Sequence, residues 1–125
     1  MSNKISMELA GVDELIKQIE ELGRKGASIE NKALKQAGEM MADEIKKETP
    51  VDTGRLRDSI GVSHIKQMKK QGKYVYVGTD LPYGWMIEFG TWKMNAYPFM
   101  AIAYEANKDK AQKIIIEEMR KGLGL

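Results

Sequence analysis

"TPVDTGRLRDSI", residues 49–60, is where the character of the chain changes. Before it the apolar residues recur at helical spacing; after it they alternate with polar ones, so helix gives way to sheet here. Pro50 disfavours helical geometry in the residue ahead of it and limits the preceding helix. The triplet Asp52-Thr53-Gly54 is spelled like the catalytic loop of an aspartic protease. That loop is entered from an apolar strand, and two carboxylates share a proton in it. Here Asp52 follows a helix and a proline, and Arg55 beside it would favour the fully ionised carboxylate. Asp52 and Thr53 instead carry short side-chain oxygens suited to capping a turn, and Gly54 accepts backbone angles that other residues avoid.

Working back from the turn, Ala33, Leu34, Ala37, Met40, Met41 and Ile45 form a broad apolar stripe, which predicts a helix from near Ser28 and Ile29 to just before Pro50. Val12, Leu15, Ile16, Ile19 and Leu22 share one face of a shorter helix, with Gly23 and Gly26 as its stop. Ile5, Met7 and Leu9 alternate as in a half-buried strand.

Working forward, Ile60, Val62 and His64 share a face, "KKQGK" reads as a turn, and Val75 and Val77 alternate with Tyr74 and Tyr76, which predicts an antiparallel hairpin. "DLPYGWMIEFG" predicts a short helix capped by Asp80, with Pro82 in its first turn, Tyr83, Met86 and Ile87 on one face and Gly90 closing it. "TWKMNAY" has no regular period. From Pro98 to about Lys121 the spacing of Phe99, Ile102, Ala103, Ala106, Ala111, Ile114, Ile115 and Met119 predicts the longest helix. The polar "NKDK" in its middle shifts the apolar face, so its two ends are expected against different neighbours. The sum is one α+β domain over residues 1–125, an antiparallel sheet with a hairpin packed against amphipathic helices.

With 125 residues, 42% of them apolar and 30% charged, the chain suits a folded domain with a core of its own. It has no Cys and one His, so a disulfide framework, thiolate ligands and zinc-site spacing are excluded, and no cofactor or metal is expected. Apolar runs are too short to span a bilayer, and the start lacks a signal-peptide core, which predicts a product made in the cytosol. His64 has no Ser or Asp partner at local spacing, and neither a Walker A nor a dinucleotide fingerprint is present. No enzyme is expected.

Two uneven distributions remain. Six bases, Arg55, Arg57, Lys66, Lys69, Lys70 and Lys73, stand against Asp58 alone, so the 55–73 hairpin could lie along phosphates, or could simply be a soluble tip whose lysines discourage edge pairing. No aromatic interleaves the cluster as a stacking platform would need. All nine aromatics fall between 74 and 104: Tyr74, Tyr76, Tyr83, Trp85, Phe89, Trp92, Tyr97, Phe99 and Tyr104. Most are expected to pack the sheet against the helices, and a partner surface around Trp85, Trp92 and Tyr97 accounts for the excess.

Three segments in order, "TPVDTGRLRDSI", "YGWMIEFGT" (83–91) and "YPFMAIA" (97–103), resemble the small tail-component family of tailed bacteriophages and prophages. The matching positions are Pro50, Thr53, Gly54, Leu56 and Ser59, then Tyr83, Glu88, Phe89, Gly90 and Thr91, and finally Pro98 and Phe99, with the resemblance covering about residues 10–120. Where the family often has Arg before the last Pro, this chain has Tyr97. The resemblance implies a non-enzymatic virion or assembly protein of the neck or head-proximal tail, a ring subunit meeting connector, terminator or tube proteins. The basic hairpin would then face DNA in the channel. A small nucleic-acid-associated protein using the 55–73 hairpin is the alternative.

Overall fold

The computed structural model describes residues 3–9, 13–51, 54–68 and 72–125. The order is β1 (Asn3–Glu8), α1 (Asp13–Glu20), α2 (Arg24–Glu48), α3 (Arg55–Ser59), β2 (Gly61–Val62), β3 (Lys66–Met68), β4 (Gly72–Thr79), α4 (Pro82–Phe89) and α5 (Phe99–Gly122). This is the expected α+β arrangement. Asp52 and Thr53, assigned to a turn cap, lie outside the described residues, as do Val12, Lys69 and Lys70. Gly54 takes φ 82°, the left-handed conformation glycine permits, at the entrance to α3. No helix among the described residues is long and apolar enough to cross a membrane.

The sheet is antiparallel, with β4 central, β1 on one side and β2 and β3 on the other. Ile5 faces Val77 and Met7 faces Val75, so the inward side chains of β1 and β4 meet over the core. Val62 faces Val77, but Lys66 faces Tyr74, so residues 63–65 oppose only residues 75–76. That extra residue is a β-bulge, and it reverses the facing of the residues beyond it. His64 is therefore exposed rather than sharing the inward face of Ile60 and Val62, and Ile65 packs against the core instead. Ser63 holds the bulge: its N–H donates to the Tyr76 carbonyl, and its hydroxyl accepts the Tyr76 N–H, both at 2.8 Å.

α2 lies over the sheet, with Gly38 against Val62 and Val75, while α5 runs antiparallel along another side of α2. The Tyr97–Glu48 hydrogen bond marks one end of that pairing and the packing of Gly122 on Ile29 marks the other. Both halves of α5 thus share α2, which the expectation from "NKDK" did not foresee, while the start of α5 also meets α4 through Glu88. Asn107 stays within the inward row of Phe99, Ala103, Ala111, Ile115 and Met119 because its amide donates to the Ala103 carbonyl at 2.9 Å. Ile102 and Ala106, expected in the apolar face, are exposed.

Gly26 does not stop a helix. α2 already begins at Arg24, and Gly26 is buried inside it, where a Cβ would run into the Ile19 carbonyl oxygen of α1. The glycine is needed for the close crossing of the two helices. The core is built from Met, Ile, Leu, Val and Ala, and Phe99 is the only aromatic among its fully buried members. Most rings therefore do not pack sheet against helix, which corrects the expectation: Tyr74 and Tyr76 alternate onto the outer face of β4, away from α2.

Gly26→Ala should cost about 1–3 kcal/mol through the forced displacement of α1, read as a lower denaturation midpoint. Gly61→Ala, where a Cβ meets nothing within 4 Å, should stay within about 0.5 kcal/mol of the parent.

Candidate functional site

The three motif segments meet at one corner of the fold. Leu56 of α3 is buried, and a Cβ on Gly84 of α4 would press against it and against the Thr79 methyl group. Ser59 Oγ donates to the Leu56 carbonyl at 2.6 Å, which leaves Thr79 as donor in the 2.6 Å bond between the two hydroxyls. Thr79 Oγ1 can then accept the Leu81 N–H at 3.0 Å and start α4. Asp80 is not the cap. It projects into solvent and pairs with Lys4 at 2.9 Å, because Thr79, buried at the end of β4, reaches the helix entrance first.

α4 turns its small and its charged residue inward: Gly84 and Glu88 are buried, Tyr83 and Ile87 are half-buried, and Met86 is exposed. Glu88, 5% exposed, crosses to the start of α5. Its Oε1 accepts the Met100 N–H at 2.9 Å and its Oε2 the Ala101 N–H at 3.2 Å. The Asn3 amide of β1 reaches both Glu88 Oε1 and the Gly84 carbonyl at 3.5 Å. α5 opens at Pro98 with no side-chain cap from its own sequence, so a carboxylate from another helix takes that role and also meets the positive end of the helix dipole.

Between these helices the chain is held tightly yet stands in solvent. Gly90 closes α4 with its N–H on the Met86 carbonyl at 2.7 Å, Thr91 and Met94 exchange backbone hydrogen bonds at 2.9 and 3.2 Å, and the Tyr97 N–H donates to the Ile87 carbonyl at 2.7 Å. The segment read as irregular is thus a tight turn followed by a tethered strap. Trp92, at its tip, is 90% exposed, with the Lys93 ammonium 4.7 Å from its ring centre. Phe89, 63% exposed, lies 5.8 Å from the half-buried Trp85 ring, and Met94 and Tyr97 are exposed as well. Trp92 and Tyr97 accordingly belong to the strap, while Trp85 sits beside Phe89 on α4.

A family model described as "Bacteriophage HK97-gp10, putative tail-component" matches residues 13–90. The chain belongs to the HK97-gp10-like family. The matched stretch runs from α1 through Gly90 and holds the first motif segment and most of the second. Thr91, Pro98 and Phe99 of this HK97-gp10-like chain lie beyond it. No curated protein and no solved structure gives a significant match.

In this HK97-gp10-like protein most of the motif residues among the described ones serve the same corner. Leu56 and Phe99 are buried in the core, Ser59 bonds the Leu56 carbonyl, Glu88 bonds the first turn of α5, Tyr83 packs against the core, Gly90 and Thr91 shape the turn, and Pro50 and Pro98 are exposed. Thr53 lies outside the described residues. The sequence reading missed Asn3, Thr79 and Glu48, whose roles come from segments distant in the chain.

The four bases among the described residues come from three different elements. Arg55 and Arg57 belong to α3, whereas Lys66 and Lys73 lie toward the other end of the hairpin, up to roughly 20 Å of extended chain away. Arg57 Nε pairs with Asp58 at 3.2 Å. Lys73 turns toward α2, where its ammonium meets Asn31 Oδ1 at 3.0 Å, the Ala27 carbonyl at 3.4 Å and Glu30 at 3.9 Å. Lys66 stands on the outer face beside Tyr76, with Lys4 on the other flank, at 5.9 and 5.8 Å from the ring centre. Pairing across strands thus brings rings next to a base, which the linear order hid. Burial raises the Glu30 pKa, Lys73 opposes the rise, and Glu20 adds to it.

Glu88→Ala should cost about 1–3 kcal/mol, since it leaves the first N–H groups of α5 without their acceptor. Denaturant titration measures the loss. Because folded Glu30 holds its proton more tightly than the unfolded chain does, its contribution erodes stability as pH rises above 4.5. The stability of Glu30→Gln relative to the parent should therefore improve across that rise, and paired denaturation curves at stepped pH check the sign.

Proposed function

We propose that the chain is a non-enzymatic structural subunit of the phage tail, acting in the neck or head-proximal region as one member of a ring that completes the tail and joins it to the head. The observation that carries this reading is the family match from α1 to the end of α4. The strap supports it: isolated proteins seldom keep several large apolar side chains together in water, and rings such as Trp92 and Tyr97 are favoured at the buried centres of interfaces. The partners in this reading are further copies of the chain and the connector, terminator or tube proteins on either side, in particles assembled in the host cytoplasm and retained in the virion.

Within that ring we place the hairpin toward the channel. Arg57 and Lys73 already have partners on their own chain. Bases engaged in this way leave a moderate positive field, along which DNA slides without being gripped.

Deleting the gene from the phage that encodes it should leave filled heads separate from tails, or tails malformed at the head-proximal end, when lysates are viewed by electron microscopy. Normal infectious particles would remove this role and favour a nucleic-acid-associated function.

A further inference from the structure

On the side of the sheet that ends in β2, a groove of about 570 Å³ runs between the strand and the exposed face of α2. Ala42, Val62 and Ile65 give it apolar walls. Glu39 and Asp43 stand one helical turn apart midway along its helical rim, with Lys35 before them and Lys46 after. Such a volume is ample to receive an indole ring.

The strap offers the complementary shape. Trp92 is almost wholly in water, and its ring carries the ammonium of Lys93, the only charged residue between Thr91 and Pro98. The turn is already fixed by the Thr91–Met94 hydrogen bonds and by the Lys93 N–H donating to Thr91 Oγ1 at 3.2 Å. Little conformational freedom is left to lose on docking.

We infer that the Trp92 turn of one copy of this chain inserts into the α2–β2 groove of a second copy, with the indole against the apolar walls and Lys93 between Glu39 and Asp43. This rests on the proposed ring assembly. Charge complementarity selects the occupant, because the single cation beside the ring meets the paired carboxylates at the middle of the rim. The turn and the groove are also distinct surfaces, built from different elements. The turn hangs from the α4–α5 corner beside β1, where Asn3 touches Gly84 and Glu88, and the groove follows β2 across the sheet. Each copy then uses each surface once, so the contact is head-to-tail and propagates to a closed ring when its rotation allows.

The chain has no cysteine, so introduced cysteines read this contact without background. With Met94→Cys and His64→Cys in one chain, Trp92 kept intact, a short bismaleimide should link copies into a ladder extending beyond the dimer, in concentrated purified protein and in tail particles. Either single-cysteine variant should remain uncrosslinked. Adding Trp92→Ala to the pair should lower the ladder yield at least about tenfold, as expected for an interface anchor. Lys93→Glu should also lower it, and Asp43→Lys in the same chain should restore it.

A dimer from Met94→Cys alone would overturn the inference in favour of two turns meeting across a two-fold axis. Absence of a ladder both in concentrated protein and in particles that contain the protein would also overturn it, leaving the tail reading intact. A ladder in solution from a protein missing from particles would support the contact and overturn the tail reading.

Discussion

The buried carboxylate of Glu88 is the interaction on which the corner of this fold turns. α5 begins after Pro98 without a cap from its own residues, so its first N–H groups need an acceptor, and the need is acute where Met100 is buried. Glu88 supplies both oxygens to successive N–H groups at 2.9 and 3.2 Å. A charge removed from water is tolerated only where such bonds replace hydration, and here the helix dipole adds to them. Because the carboxylate comes from α4 and is also approached by Asn3 of β1, one group fixes two helices and the first strand relative to one another.

That arrangement explains how an apolar segment can stand in solvent without collapsing onto the protein. The strap between α4 and α5 is tethered at Gly90, at the Thr91–Met94 turn, at Tyr97 through Ile87, and by the Tyr97 hydroxyl bonding Glu48 at 3.1 Å. With several of its backbone N–H groups engaged and both ends anchored to helices, the segment holds Trp92 outward. A tail component has to present a surface to neighbours in an assembly while remaining folded before they arrive, and a rigid strap suits that requirement. The core, meanwhile, needs few rings: aliphatic and methionine side chains fill the space among α2, α5 and β4, leaving most of the aromatics at the surface.

α2 imposes the second constraint, since it meets α1, α5 and the sheet on different sides. Small residues make this possible where the approaches are closest: Gly26 beneath α1 and Gly38 over the valines of the sheet. The breadth of the apolar stripe in the sequence reflects this multiple burial. A helix resting on a single neighbour would need only a narrow one.

By itself the sequence determined the parts whose cause is local. Periodicity set the helices ending at Glu48 and running from Phe99, alternation set β1 and β4, Pro50 limited α2, and Gly90 closed α4, because spacing and backbone restriction act between near neighbours. The ordered motifs also pointed to the tail-component family. Only the tertiary structure decided which edge of β4 receives β1, the bulge at residues 63–65 that turns His64 outward, the passage of α2 through Gly26, and the union of Thr79, Ser59 and Glu88 at one corner. These features join residues far apart in the chain, and each depends on which buried donor finds which acceptor once the core has closed. No local period or propensity carries that information.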